Sequence, residues 1–193
     1  MGADGHFRVT LSLRREPAAG PVYCKMETSA RFRQLKTVKL SCEATYRLDI
    51  SFKPPQLLES LSIGGKQVET IERARDGTAC AYSAYHSTKG IPASARGHRE
   101  ELPIAMRVFG SGYLTTCLQI KYYRQDDQSH CEWGARLHCI ELDCSSVEGR
   151  LVTLDEHGGT LGTRSIINKY SQNDAIHSYT QIRLVYTGIH MYI

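Results

Sequence analysis

The chain has 193 residues and a formal net charge of +4, from 24 Lys and Arg against 20 Asp and Glu. Hydrophobic residues are 41% and charged residues 23%, an ordinary balance in a chain long enough to bury a core without staples. The mild basic surplus argues against a dedicated nucleic-acid binder, and no apolar run approaches the ~18 residues of a membrane span.

Met1 to Thr10 carries Asp4, Gly5, His6 and Arg8, so no apolar leader region is present. The chain reads as unexported, with reduced thiols. Its seven cysteines, Cys24, Cys42, Cys80, Cys117, Cys131, Cys139 and Cys144, then read as small buried hydrophobes. Gly2 lacks the downstream Ser or Thr of a myristoylation signal, because His6 stands there. The last residues, Gly188 to Ile193, hold no prenylation cysteine.

The dominant period is two. Phe7, Val9, Leu11 and Leu13 alternate with polar residues, and Pro17 to Pro21 then breaks the run. Tyr46, Leu48, Ile50 and Phe52 alternate with Arg47, Asp49, Ser51 and Lys53, and Pro54-Pro55 ends that strand. Leu57 to Ser62 has room for one short helical turn. Gly64-Gly65 reads as a tight hairpin, and Asp76-Gly77 as a turn opening Thr78 to Tyr85. Ser87 to Glu101 is a long polar loop, of a length that is usually functional or mobile. Leu114, Thr116, Leu118, Ile120 and Tyr122 form a third alternating set against Thr115, Cys117, Gln119, Lys121 and Tyr123. Asp126 to Ser129 is a polar break before His130 to Cys144. About nine or ten short strands, each with one wet face, predict an all-β antiparallel sandwich or filled barrel. Composition changes near Asp155. Residues 1–155 read as the β domain. Residues 156–193 read as a C-terminal extension, disordered or adding an edge strand.

His130, Cys131, His138, Cys139 and Cys144 are the densest set of candidate metal ligands. No C-x2-C pair occurs, and neighbours in a strand point to opposite faces, so buried thiols and surface histidines fit better than zinc. Cys131 beside His130 is the nearest nucleophile candidate, but adjacency does not supply a triad. There is no G-x-S-x-G elbow, P-loop or dinucleotide fingerprint. His98 to Glu101 reads as solvated charge. No cofactor and no enzyme activity are expected. Trp133 reads as a ring closing one end of the core.

Basic residues recur on the wet faces: Arg31, Arg33, Lys36 and Lys39, then Arg47 and Lys53, then Lys121 and Arg124. Such a surface is either a plain soluble exterior or one that attracts an acidic peptide or the anionic inner membrane leaflet. Arg47, Lys53, Lys121 and Tyr123 are the candidate partner-binding residues, as outward positions on two well-defined strands.

Val9 to Leu13, Gly20 to Lys25, Arg31-Phe32, Thr37 to Leu40, Lys53-Pro54 and Ser62 to Gly65 resemble the cannabinoid receptor-interacting protein family. Gln119 to Tyr123, His130 to Gly134 and Ile140 to Cys144 are the most specific matches. The resemblance spans Arg8 to Leu154, and residues 156–193 have no counterpart in it. It implies a cytoplasmic, non-enzymatic β protein with a fold similar to Rho GDP-dissociation inhibitors. It also implies binding to the intracellular C-terminal tail of the type 1 cannabinoid receptor, recruitment to the plasma membrane through that receptor, and damping of its G-protein signalling. The alternative is a carrier holding an acyl or prenyl chain of a lipidated peptide between its sheets, near Phe7, Cys117, Leu118 and Ile120.

Overall fold

The structure, a computed structural model, describes residues 5–28, 31–147, 150–153 and 183–185. Fifteen strands occur among them: β1 (Gly5–Glu16), β2 (Gly20–Pro21), β3 (Tyr23–Met26), β4 (Lys36–Ser41), β5 (Thr45–Lys53), β6 (Leu58–Ile63), β7 (Lys66–Val68), β8 (Thr70–Arg75), β9 (Cys80–Ser87), β10 (Glu100–Val108), β11 (Gly112–Tyr123), β12 (Ala135–Arg136), β13 (Cys139–Val147), β14 (Arg150–Thr153) and β15 (Arg183–Val185). One helical turn, α1 (Gln128–Cys131), lies in the polar break after β11.

The strands form two sheets. The eight-stranded sheet runs β14-β13-β1-β5-β9-β8, with β2 added to β1 and β15 to β13. The seven-stranded sheet runs β12-β3-β4-β11-β10-β6-β7. The sheets keep separate edges, so the molecule is a β-sandwich and not a closed barrel. The period-two residues explain the packing. Phe7, Val9, Leu11 and Leu13 of β1 and Tyr46, Leu48, Ile50 and Phe52 of β5 all enter one core. Leu114, Leu118, Ile120 and Tyr122 of β11 meet them from the other sheet. Phe52 packs on Phe7 at 6.1 Å and edge-on to Tyr82 at 6.0 Å. Two buried tyrosines tie the sheets together. The Tyr46 hydroxyl of β5 accepts from the Ser41 amide of β4 at 2.7 Å, and burial pushes its pKa up to about 12. The Tyr82 hydroxyl accepts from the Leu58 amide. Leaving such a buried donor unpaired would cost about 1–3 kcal/mol.

Several expectations change. Leu57 to Ser62 holds no helical turn: Leu58–Ile63 is a strand, hydrogen-bonded to β10 and joined to β7 through Gly64-Gly65. Fifteen strand segments exceed the nine or ten expected, because short pieces such as β2, β7 and β12 carry no readable alternation. The pairing is not wholly antiparallel, since β4 and β11 run parallel. The long polar loop is pinned down. Thr88 bonds Ser41 and Ala44, and Ser94 exchanges bonds with the backbone of Tyr122, prolonging the line of β10 beside β11. The supposed boundary near residue 155 and most of 156–193 lie outside the described residues. Of that segment, Arg183–Val185 pairs with β13.

Candidate partner-binding face

The four candidate residues do not converge. Arg47 and Lys53 point outward from β5 in the eight-stranded sheet. Lys121 and Tyr123 point outward from β11 in the seven-stranded sheet, on the opposite side of the sandwich. Arg47 is also engaged: its guanidinium sits 3.0 Å from Asp49 and 3.3 Å from Glu16. Arg14 approaches the same Asp49, and Arg8 pairs with Asp143 at 2.8 Å. Lys53 is exposed at the end of β5.

The seven-stranded sheet is different. Strand register places Arg136, Tyr23, Lys39 and Lys121 in one row across β12, β3, β4 and β11. Lys39 was expected on a wet face, yet it is only 5% exposed. Its ammonium donates to the carbonyls of His130 and Trp133 and lies 5.4 Å from the Trp133 ring and 5.7 Å from that of Tyr123. Among the described residues no carboxylate pairs with it; carbonyls and π-faces solvate it instead. The Lys121 ammonium sits 4.8 Å from the Tyr123 ring. Burial holds both ammonium groups below their ordinary pKa. Mutual repulsion adds to this, with Lys25 acting on both and Arg99 on Lys121. The nearby acids are already used: Glu27 by Arg99, Thr37 and Lys25, and Asp127 by His130 at 2.6 Å. The cations here, Lys25, Lys39, Lys121 and Arg99, outnumber the acids Glu27 and Asp127 that act on them.

Trp133 does not close the core. It is 73% exposed and stacks over Lys39. Gly134 makes that possible. Its φ is +118°, and a Cβ there would stand 2.6 Å from the Cys24 carbonyl oxygen. Only glycine lets the chain after α1 press onto β3 and hold Trp133 above the lysines.

One buried pair fastens the loops around this face. Arg99 donates to Glu27, which also accepts from Thr37, and Thr37 accepts from Gln119. Burial raises the Glu27 pKa, but the bonds from Thr37 and Arg99 outweigh it and leave the carboxyl below its usual range. The Arg99 guanidinium covers Phe32 at 4.3 Å. The segment from His98 to Glu101 is thus not simply solvated charge. Gln119 and Tyr123, though of outward parity, are buried under these contacts. Sequence reasoning missed Glu27, Arg99 and Trp133 as parts of one face, and the Trp-Gly pair was the one local signal.

Other candidates separate. Cys131 is buried, and burial pushes its thiol up to about 11, the wrong direction for a thiolate nucleophile. No group of three His, Cys, Asp or Glu placed to hold a metal occurs among the described residues. Phe7, Leu118 and Ile120 belong to the packed core, whereas the half-buried Cys117 faces outward.

The comparisons with known proteins agree with one another. The family model described as CB1 cannabinoid receptor-interacting protein 1 matches residues 3–157. The proteins of that name from Bos taurus and Homo sapiens are each 33% identical to this chain over 149 residues, covering 76% of this chain and 90% of theirs. The Mus musculus protein is also 33% identical over the same length. By extent and identity, this chain belongs to the CB1 cannabinoid receptor-interacting protein 1 family.

Proposed function

We propose that the protein is a non-enzymatic cytoplasmic adaptor that binds the intracellular C-terminal tail of the type 1 cannabinoid receptor and modulates its G-protein signalling. In this reading the receptor recruits it to the plasma membrane. The name of the related proteins supports a receptor-interacting role. The observation that carries the binding mode is the row of Lys39 and Lys121 with Tyr123 and Trp133, cations stacked on rings with their nearby acids engaged elsewhere. An acidic stretch of the tail lies across this row. Its carboxylates meet Lys121 and Lys25, and Trp133 covers an apolar neighbour.

The test is calorimetric titration of the full chain with the receptor tail peptide. Lys121→Glu is expected to weaken binding by about tenfold or more and to flatten its salt dependence. Unchanged affinity and salt slope would remove this face from the reading, and no binding by the unaltered chain would remove the reading itself. Affinity should also fall at alkaline pH before the ordinary lysine range near 10.4 is reached, because the anion binds the protonated form and the Lys121 pKa is lowered.

A further inference from the structure

The two sides of β13 are covered unequally. One side pairs with β1 over residues 140–146. On the other side the hairpin partner β14 reaches only residues 144–147, and β15, from a distant part of the chain, takes residues 139–141. Without β15 that stretch of β13 would be an open sheet edge, a template for another extended segment.

The register gives this edge a chemical preference. It sets Val185 opposite Cys139, Leu184 opposite Ile140 and Arg183 opposite Glu141. Ile140 is 1% exposed, whereas Cys139 and Glu141 are half-buried at the alternate, outward positions. The next outward acid, Asp143, is taken by Arg8 at 2.8 Å. Glu141 has no ion pair among the described side chains. Burial, and next the Glu141 charge, raise the Cys139 thiol above its ordinary pKa, so the field of that carboxylate reaches along the edge. A cation suits the position opposite Glu141, and an apolar residue the position opposite Ile140. Arg183-Leu184-Val185 supplies both in order. A second copy of β13 would bring Cys139, Glu141 and Asp143 to the outward positions, with no cation among them.

We propose that the edge of β13 at residues 139–141 is a strand-addition site for an extended segment in which apolar residues follow a cation, and that this chain fills the site with its own β15. Main-chain bonds supply the affinity, and Glu141 selects the register. A partner strand of the same chemistry competes with β15, so the C-terminal segment is a cover over the edge. The site borders the cationic row: Arg136, at one end of that row, stands three residues before Cys139, within roughly 10 Å of chain. The inference does not rest on the receptor reading, which concerns the outer face of the other sheet.

Cys139 makes the test direct. Directly opposite residues of an antiparallel pair have Cα atoms about 4.5–5.5 Å apart, a spacing that a disulfide bridges. In the full chain carrying Val185→Cys, oxidised glutathione is expected to link the introduced thiol to Cys139 within one molecule, as read by non-reducing electrophoresis and peptide mass mapping. Arg183→Glu sets acid against acid and should lower the equilibrium yield by about threefold. Adding Glu141→Arg should restore it, which general unfolding would not allow. A synthetic peptide of residues 180–188 carrying Val185→Cys should label Cys139 of the Arg183→Glu chain. It should label the unaltered chain less, because β15 already occupies the edge. Links only between two molecules would overturn the cover in cis. Yields indifferent to both charge reversals, or peptide label spread evenly over Cys139 and the equally half-buried Cys117, would overturn the site. Lys121→Glu should weaken tail binding and leave every one of these yields unchanged, so failure of either reading is seen apart from the other.

Discussion

The outer face of the eight-stranded sheet and the Lys39–Lys121 end of the seven-stranded sheet solve the same problem in opposite ways. On the eight-stranded sheet, arginines stand beside carboxylates of the same face: Arg8 on Asp143, Arg47 on Glu16 and Asp49, Arg14 on Asp49. Pairs of this kind, cross-strand except for Arg47–Asp49, steady the ladder slightly and cancel each other's field. On the seven-stranded sheet, Lys39 and Lys121 rest on rings and carbonyls, and Glu27 is spent on Arg99. A cation held by neutral groups keeps its charge available. Numbers of basic residues therefore say little about where a partner binds; their neighbours decide it.

The sharpest break in this comparison is the buried pair. Arg99→Ala should cost about 3 kcal/mol in urea unfolding, because it leaves the buried Glu27 charge with only Thr37 and the more distant Lys25. Arg14→Ala on the other face should cost less than about 1 kcal/mol. Equal losses would mean that the pairs are alike and the contrast is empty. Next comes Gly134→Ala, expected to cost about 1–3 kcal/mol from backbone strain alone. The clash with the Cys24 carbonyl should also shift Trp133 emission as the ring leaves Lys39.

The functional half of the contrast is sharpened by Arg47→Glu. It places a third carboxylate beside Glu16 and Asp49, so it should lower Tm while leaving the affinity for the tail peptide unchanged. Weakened tail binding would return the eight-stranded face to consideration.

The pH effects are smaller. Glu27 titrates below its usual range, so it contributes stability above the ordinary glutamate pKa of about 4.3, lost as pH falls through its lower folded value. Glu27→Gln should remove that acid dependence in Tm-against-pH curves. His86 is held below its ordinary value by burial, and next by Lys66, and its Nε2 has no hydrogen-bond partner. The unfolded chain takes up that proton first, so stability should fall as pH drops below about 6.5. His86→Gln should flatten this limb.

Legibility followed water. β1 and β5 were readable because one side of each is wet and the other dry, which writes the fold into alternate residues. β4 was not, since loops cover its outer side and Thr37 to Ser41 are all buried. The far end of β11 was obscured in the same way, with Gln119 and Tyr123 buried at outward positions. Of the candidate site, Lys121 and Tyr123 were identified as outward neighbours. Their separation from Arg47 and Lys53 was not legible, because alternation says which face of a strand is wet and not which sheet the strand joins.

The sequence by itself determined the all-β class, the core residues of the alternating strands, the Gly64-Gly65 hairpin and the family. These depend on local period, turn chemistry and ordered motifs. Only the tertiary structure decided that Trp133 lies outside the core, that Lys39 is sheltered by carbonyls from α1 and the Trp133 loop, and that Arg99 reaches Glu27. Each of these joins residues more than seventy positions apart. Whether a charge is cancelled or left available depends on such distant partners, and sheet order alone brings them together.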